Sequence, residues 1–192
     1  GLSFYSFAQD VSLREAALEA KAAGYDGVEL VVIENGELNM KTTDRELIQI
    51  RAMLSDMGLE APSVGAWNIW EHNLAGDDAH HAAYARDIVK KQIECAHALG
   101  ADTVLVVPGW VGTPFAQGLV RYDRAYDNAQ RALSALAPVA KAANVVMGVE
   151  NVWNKFLLSP VETARFLDEI GSPFVGAYFD VGNIIYIGYP DQ

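Results

Sequence analysis

Short apolar runs alternate along the chain with longer segments of helical periodicity. The segments between the runs place apolar residues three or four positions apart, which is the spacing of one helix face. Each apolar run has the length of a single strand rather than of a helix. The pattern predicts six strands, at residues 3–7, 27–33, 61–67, 102–109, 145–150 and 174–180, and five complete helices between them.

Capping residues and glycines mark the limits of the predicted helices. Asp10 or Ser12 is placed to cap the first helix, because a short polar side chain there accepts a hydrogen bond from the first turn. Gly24, Gly58 and Gly100 follow the first three helices, where the chain turns left-handed. The predicted helices are residues 11–24, 43–57, 78–99, 123–143 and 160–170.

The strands read as almost continuous apolar runs, which is typical of strands buried on both faces of a parallel sheet. An open doubly wound sheet and a closed eight-stranded barrel both fit this alternation. The first turn carries no GxGxxG motif, and no GxxxxGK[ST] motif occurs anywhere in the sequence. Both signatures of a nucleotide-binding open sheet are therefore missing. Polar residues follow the strand ends, as at 34–35, 67–72, 150–155 and 180–183, and a barrel gathers such ends at one mouth. We therefore expect an α/β fold, a (β/α)8 TIM barrel with about six βα units present, residues 1–192 forming one incomplete barrel domain.

Composition and charge limit the classes of binding partner that we expect. Hydrophobic residues make up 51% of the chain, and the formal net charge is -11. An acidic surface repels phosphate backbones, so we expect a small-molecule partner and no nucleic acid. No basic leader with an apolar core occurs, and no apolar stretch approaches the roughly 18 residues that span a bilayer, so we expect a cytoplasmic protein with no membrane partner. The single cysteine, Cys95, is expected to be a buried apolar residue.

Two carboxylates end neighbouring strands of the predicted sheet. Glu150 is the last residue of an apolar strand, where a lone carboxylate is costly, and Asp180 ends the next strand. Each carboxylate has an alternative role, which is to cap the following helix or bind loop N–H groups, and this alternative is weaker for Glu150. Two adjacent anions repel unless a cation lies between them. Carboxylate oxygens favour a divalent ion such as Mn, Mg or Zn.

Three strings carry a family resemblance: GVENVWNKFLLSP (148–160), YFDVGNIIYIGYP (178–190) and the less specific AHALGADTVLVVPG (96–109). They resemble the xylose-isomerase-like TIM barrels that act on sugars and sugar phosphates, and the likeness runs over essentially the whole chain. Within that group they are most similar to L-ribulose- and L-xylulose-5-phosphate 3-epimerases and to proteins described as hexulose-6-phosphate isomerases.

The resemblance implies a metal site of Glu, Asp, His and Glu taken from strands five to eight. Glu150 and Asp180 match the first two positions. The histidines of the chain lie upstream and do not match the third; they are His72, His80, His81 and His97. The chain starts without Met and stops at residue 192, so we expect it to be part of a longer product that supplies the other two ligands.

The resemblance also implies the chemistry. The metal polarises the substrate oxygens, Glu150 removes a proton beside the carbonyl, and the metal holds an enediolate. The function implied is epimerisation or isomerisation of a ketose or ketose phosphate. A second carboxylate on the opposite face is expected beyond residue 192, so the chain alone is expected to lack full activity.

Four residues are candidate substrate contacts. Trp110 follows a strand end and can line a sugar face, although packing explains such an aromatic residue equally well. Asn154 and Lys155 can hold hydroxyls or a phosphate, or form a solvated loop. Asn183 stands where related epimerases place a substrate-contacting polar residue. Glu29 is either a barrel-interior carboxylate or a half-exposed strand residue.

Two other functions share this fold. DNA-repair endonucleases need several zinc ions, many histidine ligands and a basic surface, which four histidines and a net charge of -11 do not provide. A non-catalytic barrel that binds sugar without turning it over remains open, and metal titration separates it from an enzyme. The two unpaired strand edges of an incomplete barrel also predict a homo-oligomer.

Overall fold

The computed structural model describes residues 1–8, 10–114 and 116–187, with the backbone alone at 186 and 187. The strands are β1 (Leu2–Ser3), β2 (Val28–Val32), β3 (Ser63–Ala66), β4 (Thr103–Val106), β5 (Val146–Glu150) and β6 (Val175–Tyr178). The helices are α1 (Leu13–Ala22), α2 (Asp44–Asp56), α3 (Ala79–Leu99), α4 (Tyr122–Ala143), α5 (Pro160–Ile170) and α6 (Val181–Ile187). No helix of these ranges is long and apolar enough to cross a membrane.

All six strands form one parallel sheet in sequence order, β1-β2-β3-β4-β5-β6. The sheet curves round, because the Tyr178 hydroxyl on β6 lies 2.7 Å from the Glu29 carboxylate on β2. In a flat sheet these strands would be about 19 Å apart, at roughly 4.8 Å per strand. Only a curved sheet brings the two side chains together. The fold is thus a TIM-barrel-like arrangement of six βα units, as the sequence predicted.

The hydrophobic core lies between the sheet and its helices. Val64 and Val104 on the strands are fully buried, as are Leu47 of α2, Ile88 of α3 and Leu133 of α4. Small residues let helices approach the sheet closely, and the buried face of α1 includes Ala16, Ala17 and Ala20. Burial on both faces of the strands explains their continuous apolar character.

Side-chain caps begin the early helices. Ser12, one of the two candidates, caps α1 in a capping box with Glu15, and Thr43 pairs in the same way with Glu46 at α2. Asp78 caps α3 by accepting hydrogen bonds from two backbone N–H groups. These caps satisfy N–H groups that the first helical turn leaves unpaired.

Two sequence predictions are wrong at the ends of the sheet. The strand expected at 3–7 stops at Ser3, because a short 3-10 helix, Phe4–Ser6, follows at once. The Ser3 hydroxyl accepts from the Tyr5 N–H, and the Phe7 N–H donates to the Phe4 carbonyl, so these groups bond locally instead of to a neighbouring strand. The strand expected at 174–180 ends at Tyr178, and the unpredicted helix α6 follows. Residues 188–190, the GYP of the family string, lie outside the described residues.

Candidate active site

The side-chain amide of Asn151 joins the ends of β5 and β6. Its Nδ2 donates to the Asp180 carbonyl at 2.8 Å, and its Oδ1 accepts from the Asp180 N–H at 2.8 Å. Glu150 directly precedes Asn151, and its Cα pairs in register with Tyr178. The Asn151 amide therefore holds the backbone that carries Glu150 close to the backbone that carries Asp180. Sequence reasoning missed Asn151, whose only signal is its place next to Glu150.

Asn183 connects both carboxylates to α6. Its backbone N–H donates to Asp180 Oδ1 at 2.8 Å, so Asp180 caps α6, which is the alternative role considered for it. The Asn183 side-chain Nδ2 donates to Glu150 Oε1 at 3.3 Å and to the Asn151 carbonyl at 2.9 Å. The structure thus brings three of the candidate residues together: Glu150, Asp180 and Asn183.

The electrostatics of Glu150 reflect a crowded, half-buried carboxylate. Burial raises the pKa of Glu150 to about 8, with further contributions from the negative charges of Asp180 and Glu29 and from a hydrogen bond to the Asp180 side chain. Without a cation, this raised pKa favours the protonated form of Glu150 at neutral pH. Two carboxylates forced together in this way fit part of a divalent-metal site. In residues 1–8, 10–114 and 116–187, no group of three or more His, Cys, Asp or Glu side chains converges on one point.

Glu29 is a barrel-interior carboxylate and not a half-exposed strand residue, the other interpretation that the sequence allowed. It is 7% exposed. Its Oε1 accepts from the Ser3 hydroxyl at 2.6 Å, and its Oε2 accepts from the Ser63 and Tyr178 hydroxyls, each at 2.7 Å. Four strands therefore contribute to one hydrogen-bonded group. This group lies on the same face of the sheet as Glu150, because Tyr178 is the register partner of Glu150.

Two glycines make room for tyrosine rings in the sheet interior. A Cβ on Gly148 would lie 2.8 Å from Cδ2 of Tyr178, and a Cβ on Gly65 would lie 3.1 Å from Cε2 of Tyr5. Burial, together with the charges of Glu29 and Glu150, raises the pKa of Tyr5 far above its ordinary value. Burial also raises the pKa of Tyr178, to about 12, so both tyrosines stay neutral at neutral pH.

Trp110 is anchored by its backbone and is 7% exposed. Its carbonyl accepts from Asn73 Nδ2 at 2.8 Å, and its N–H donates to Asn73 Oδ1 at 2.9 Å. The indole N–H is buried and has no hydrogen-bond partner among the described residues. Such a group carries an energetic cost unless something else accepts from it.

Asn154 and Lys155 have different environments. Asn154 is 1% exposed, donates from Nδ2 to the Gly109 carbonyl at 2.8 Å and accepts from the Phe156 N–H at 3.1 Å. These contacts brace the loops that follow β4 and β5, so a substrate contact by Asn154 gains no support from the geometry. Lys155 is exposed, with a left-handed φ of 53°.

An apolar groove of about 630 Å³ lies beside the candidate site. It is formed by α5, the loop before it, and the outward faces of β5 and β6, where Val149 and Ala177 point away from Glu150. Its lining includes Lys155, Leu158 and Phe179. The groove therefore belongs to the outside of the sheet and is separate from the interior that Glu150 faces.

Comparison with known proteins gives the family. The xylose isomerase-like TIM barrel model matches residues 17–192. SgbU of Escherichia coli (strain K12), whose name gives it provisionally as an L-ribulose-5-phosphate 3-epimerase, is 27% identical over 195 residues. That match covers 96% of this chain and 63% of SgbU, so the chain spans less than two thirds of the relative's length.

Solved structures share the fold. The crystal structure of D-psicose 3-epimerase in the presence of D-fructose has a TM-score of 0.80 at 18% identity and covers 97% of this chain and 64% of its own. The structure of L-ribulose 3-epimerase has a TM-score of 0.78 at 19% identity, with coverage of 97% and 61%. The family-model match spans more than nine tenths of the sequence, and these structures agree with it in fold. The chain belongs to the xylose isomerase-like TIM barrel family.

Proposed function

We propose that the protein is a metal-dependent epimerase or isomerase of a ketose or ketose phosphate. The observation that carries the proposal is the pair Glu150 and Asp180, held together at the ends of β5 and β6 by the Asn151 amide. Family membership and the named activity of SgbU and of the two epimerase structures support the same reaction class.

Glu150 and Asp180 would be two of the ligands of a divalent ion such as Mn, Mg or Zn. A bound divalent ion supplies a Lewis acid that polarises the carbonyl of a ketose. The chemistry of the two side chains supports this assignment, because both are oxygen donors and their mutual repulsion is relieved by positive charge. Asp180 can cap α6 through Oδ1 and still offer Oδ2 as a ligand.

Other roles in catalysis and substrate binding are assigned to residues of this chain. Glu150 would accept the proton from the carbon beside the carbonyl as a carboxylate base. Epimerisation also needs a second acid on the opposite face to deliver a proton to that carbon. Asn183 holds Glu150 Oε1 and fixes the direction of the carboxylate. Trp110 stays a candidate for lining an apolar face of the sugar, and its buried indole N–H gives no added support for a contact with a substrate hydroxyl. Lys155 is an exposed cation that lines the outer groove, so its candidate contact with a substrate phosphate gains no support from the geometry.

Activity on free and phosphorylated ketoses tests the proposal. The assay uses the complete gene product with added Mn²⁺, because the relatives are longer than this chain. Glu150→Gln should abolish turnover, while Glu19→Gln, a matched change on the exposed face of α1, should leave it unchanged. A folded, Mn²⁺-loaded protein that turns over no ketose would overturn the proposal in favour of a binding-only barrel.

A further inference from the structure

The buried carboxylate of Glu29 is bonded only to neutral groups in its described hydrogen bonds. Ser3, Ser63 and Tyr178 all donate hydroxyl hydrogens to it, at 2.6 to 2.7 Å. None of the ion pairs formed by the described residues includes Glu29. The three donors are neutral hydroxyls, so none of them supplies a positive charge that would compensate a carboxylate.

Glu29 and Glu150 face the same interior of the curved sheet. Tyr178 links the two groups, because its hydroxyl bonds Glu29 while its Cα is the register partner of Glu150. The absence of a side chain at Gly148 lets the Tyr178 ring lie inside the sheet and reach Glu29. The negative charge of Glu29 also helps to raise the pKa of Glu150.

We propose that Glu29 is a positioning residue that acts through space, its buried charge strengthening the binding of a divalent cation at Glu150 and Asp180. The inference rests on the proposed function, which places a cation there. Ser3 and Ser63 keep the carboxylate in place, and Tyr178 joins it to the strand that leads to Asp180. Glu29 itself touches neither the cation nor the substrate. Its effect is electrostatic, and it is large because the sheet interior screens charge less than water does.

The test uses the complete gene product and measures Mn²⁺ affinity by electron paramagnetic resonance and Tb³⁺ affinity by luminescence. Glu29→Gln keeps the shape of the side chain and removes its charge. We expect it to weaken Mn²⁺ binding about tenfold. Because Coulomb energy is proportional to the charge of the ion, the same change should weaken Tb³⁺ binding about thirtyfold. A structural disturbance would not scale with the charge of the ion. Ser63→Ala removes one hydrogen-bond donor and keeps the charge, so it is the matched control and should change both affinities by less than about threefold, the worth of a minor hydrogen-bond adjustment.

A second variant guards against misfolding. In Glu29→Gln/Ser63→Asp the carboxylate moves to the neighbouring strand, and affinity should be restored in part if charge is what matters. Circular dichroism confirms folding before each titration. Equal Mn²⁺ affinity in the wild type and Glu29→Gln would overturn this inference but leave the proposed metal site standing. Failure of both Glu29 variants to fold would also overturn it, because the role of Glu29 would then be to stabilise the fold. No Mn²⁺ binding by the wild type would overturn the metal site and the inference together.

Discussion

The Tyr178 hydroxyl on β6 donates a 2.7 Å hydrogen bond to the Glu29 carboxylate on β2, across the interior of the curved sheet. The two residues are 149 positions apart in the sequence. This bond ties the last described strand to the second one, so it stabilises the curvature on which the candidate site depends. Removing this hydrogen bond should lower the free energy of unfolding.

Tyr178→Phe should lower the free energy of unfolding by about 1.5–3 kcal/mol, the range for a hydrogen bond to a charged group. The reason is that Glu29 stays buried and loses one of its three donors. Urea denaturation followed by fluorescence gives the value. Tyr25→Phe on a more exposed ring is the control and should have little effect. Equal stability of the two variants would show that the bond is not maintained in solution.

The stability of the metal-free protein should fall as pH rises from about 4.5 toward 8. The folded-state pKa of Glu150 is raised from 4.5 to about 8, so the folded state keeps a proton that the unfolded state has already released. Stability from this group is complete below pH 4.5 and is lost as pH rises through 8, at up to about 1.4 kcal/mol per pH unit.

Denaturant titrations in EDTA across this pH window, in the wild type and Glu150→Gln, isolate the effect. His72 has a lowered pKa, caused first by burial, so it contributes the opposite slope near and below pH 6.5 in both proteins. The difference between the two curves therefore reports Glu150. A difference that stays constant with pH would contradict the raised pKa.

The Asn151 amide should protect the Asp180 N–H from solvent exchange. Asn151→Ala removes the acceptor for that N–H and the donor to the Asp180 carbonyl, so exchange at Asp180 should accelerate. Asn151→Asp keeps an acceptor and loses the donor, and it should retain part of the protection. Amide hydrogen exchange by NMR checks both. Unchanged protection in Asn151→Ala would mean that other contacts hold the two strand ends together.

The chain on its own should form a homo-oligomer. β6 is an edge of the described sheet, and apolar side chains stand exposed next to it, including Phe179 and Ile185. Sedimentation velocity should show concentration-dependent association, which Ile185→Lys weakens. Ile48→Lys, an equally exposed change on α2, is the control. A monodisperse monomer at all concentrations would refute the prediction.

Much of the fold could be predicted because strands buried on both faces have a recognisable apolar pattern, as β2 and β5 do. The end of β1 could not, because the local bonds of Ser3 and Phe7 compete with the sheet. Likewise, the helical residues 181–187 are rich in Ile and Val, which favour strands, so helix α6 was not predicted although Asp180 was considered as a helix cap.

The candidate carboxylates Glu150 and Asp180 were predictable from their places at the ends of adjacent strands. The surroundings of Glu29 and the bonds of Asn151 were not, because they depend on sheet curvature and register. Trp110 illustrates the same limit. The sequence indicates an aromatic residue near a strand end, whereas the buried indole N–H without a described partner is a property of the packing.

The most direct test of the proposed reaction is deuterium incorporation from solvent. The complete gene product is incubated with a ketose or ketose phosphate and Mn²⁺ in D2O, and proton NMR follows the hydrogen on the carbon beside the carbonyl. If Glu150 removes that proton, the signal should disappear with the wild type and persist with Glu150→Gln. Wild-type exchange rates in Glu150→Gln, or turnover without any loss of that signal, would contradict proton abstraction by Glu150.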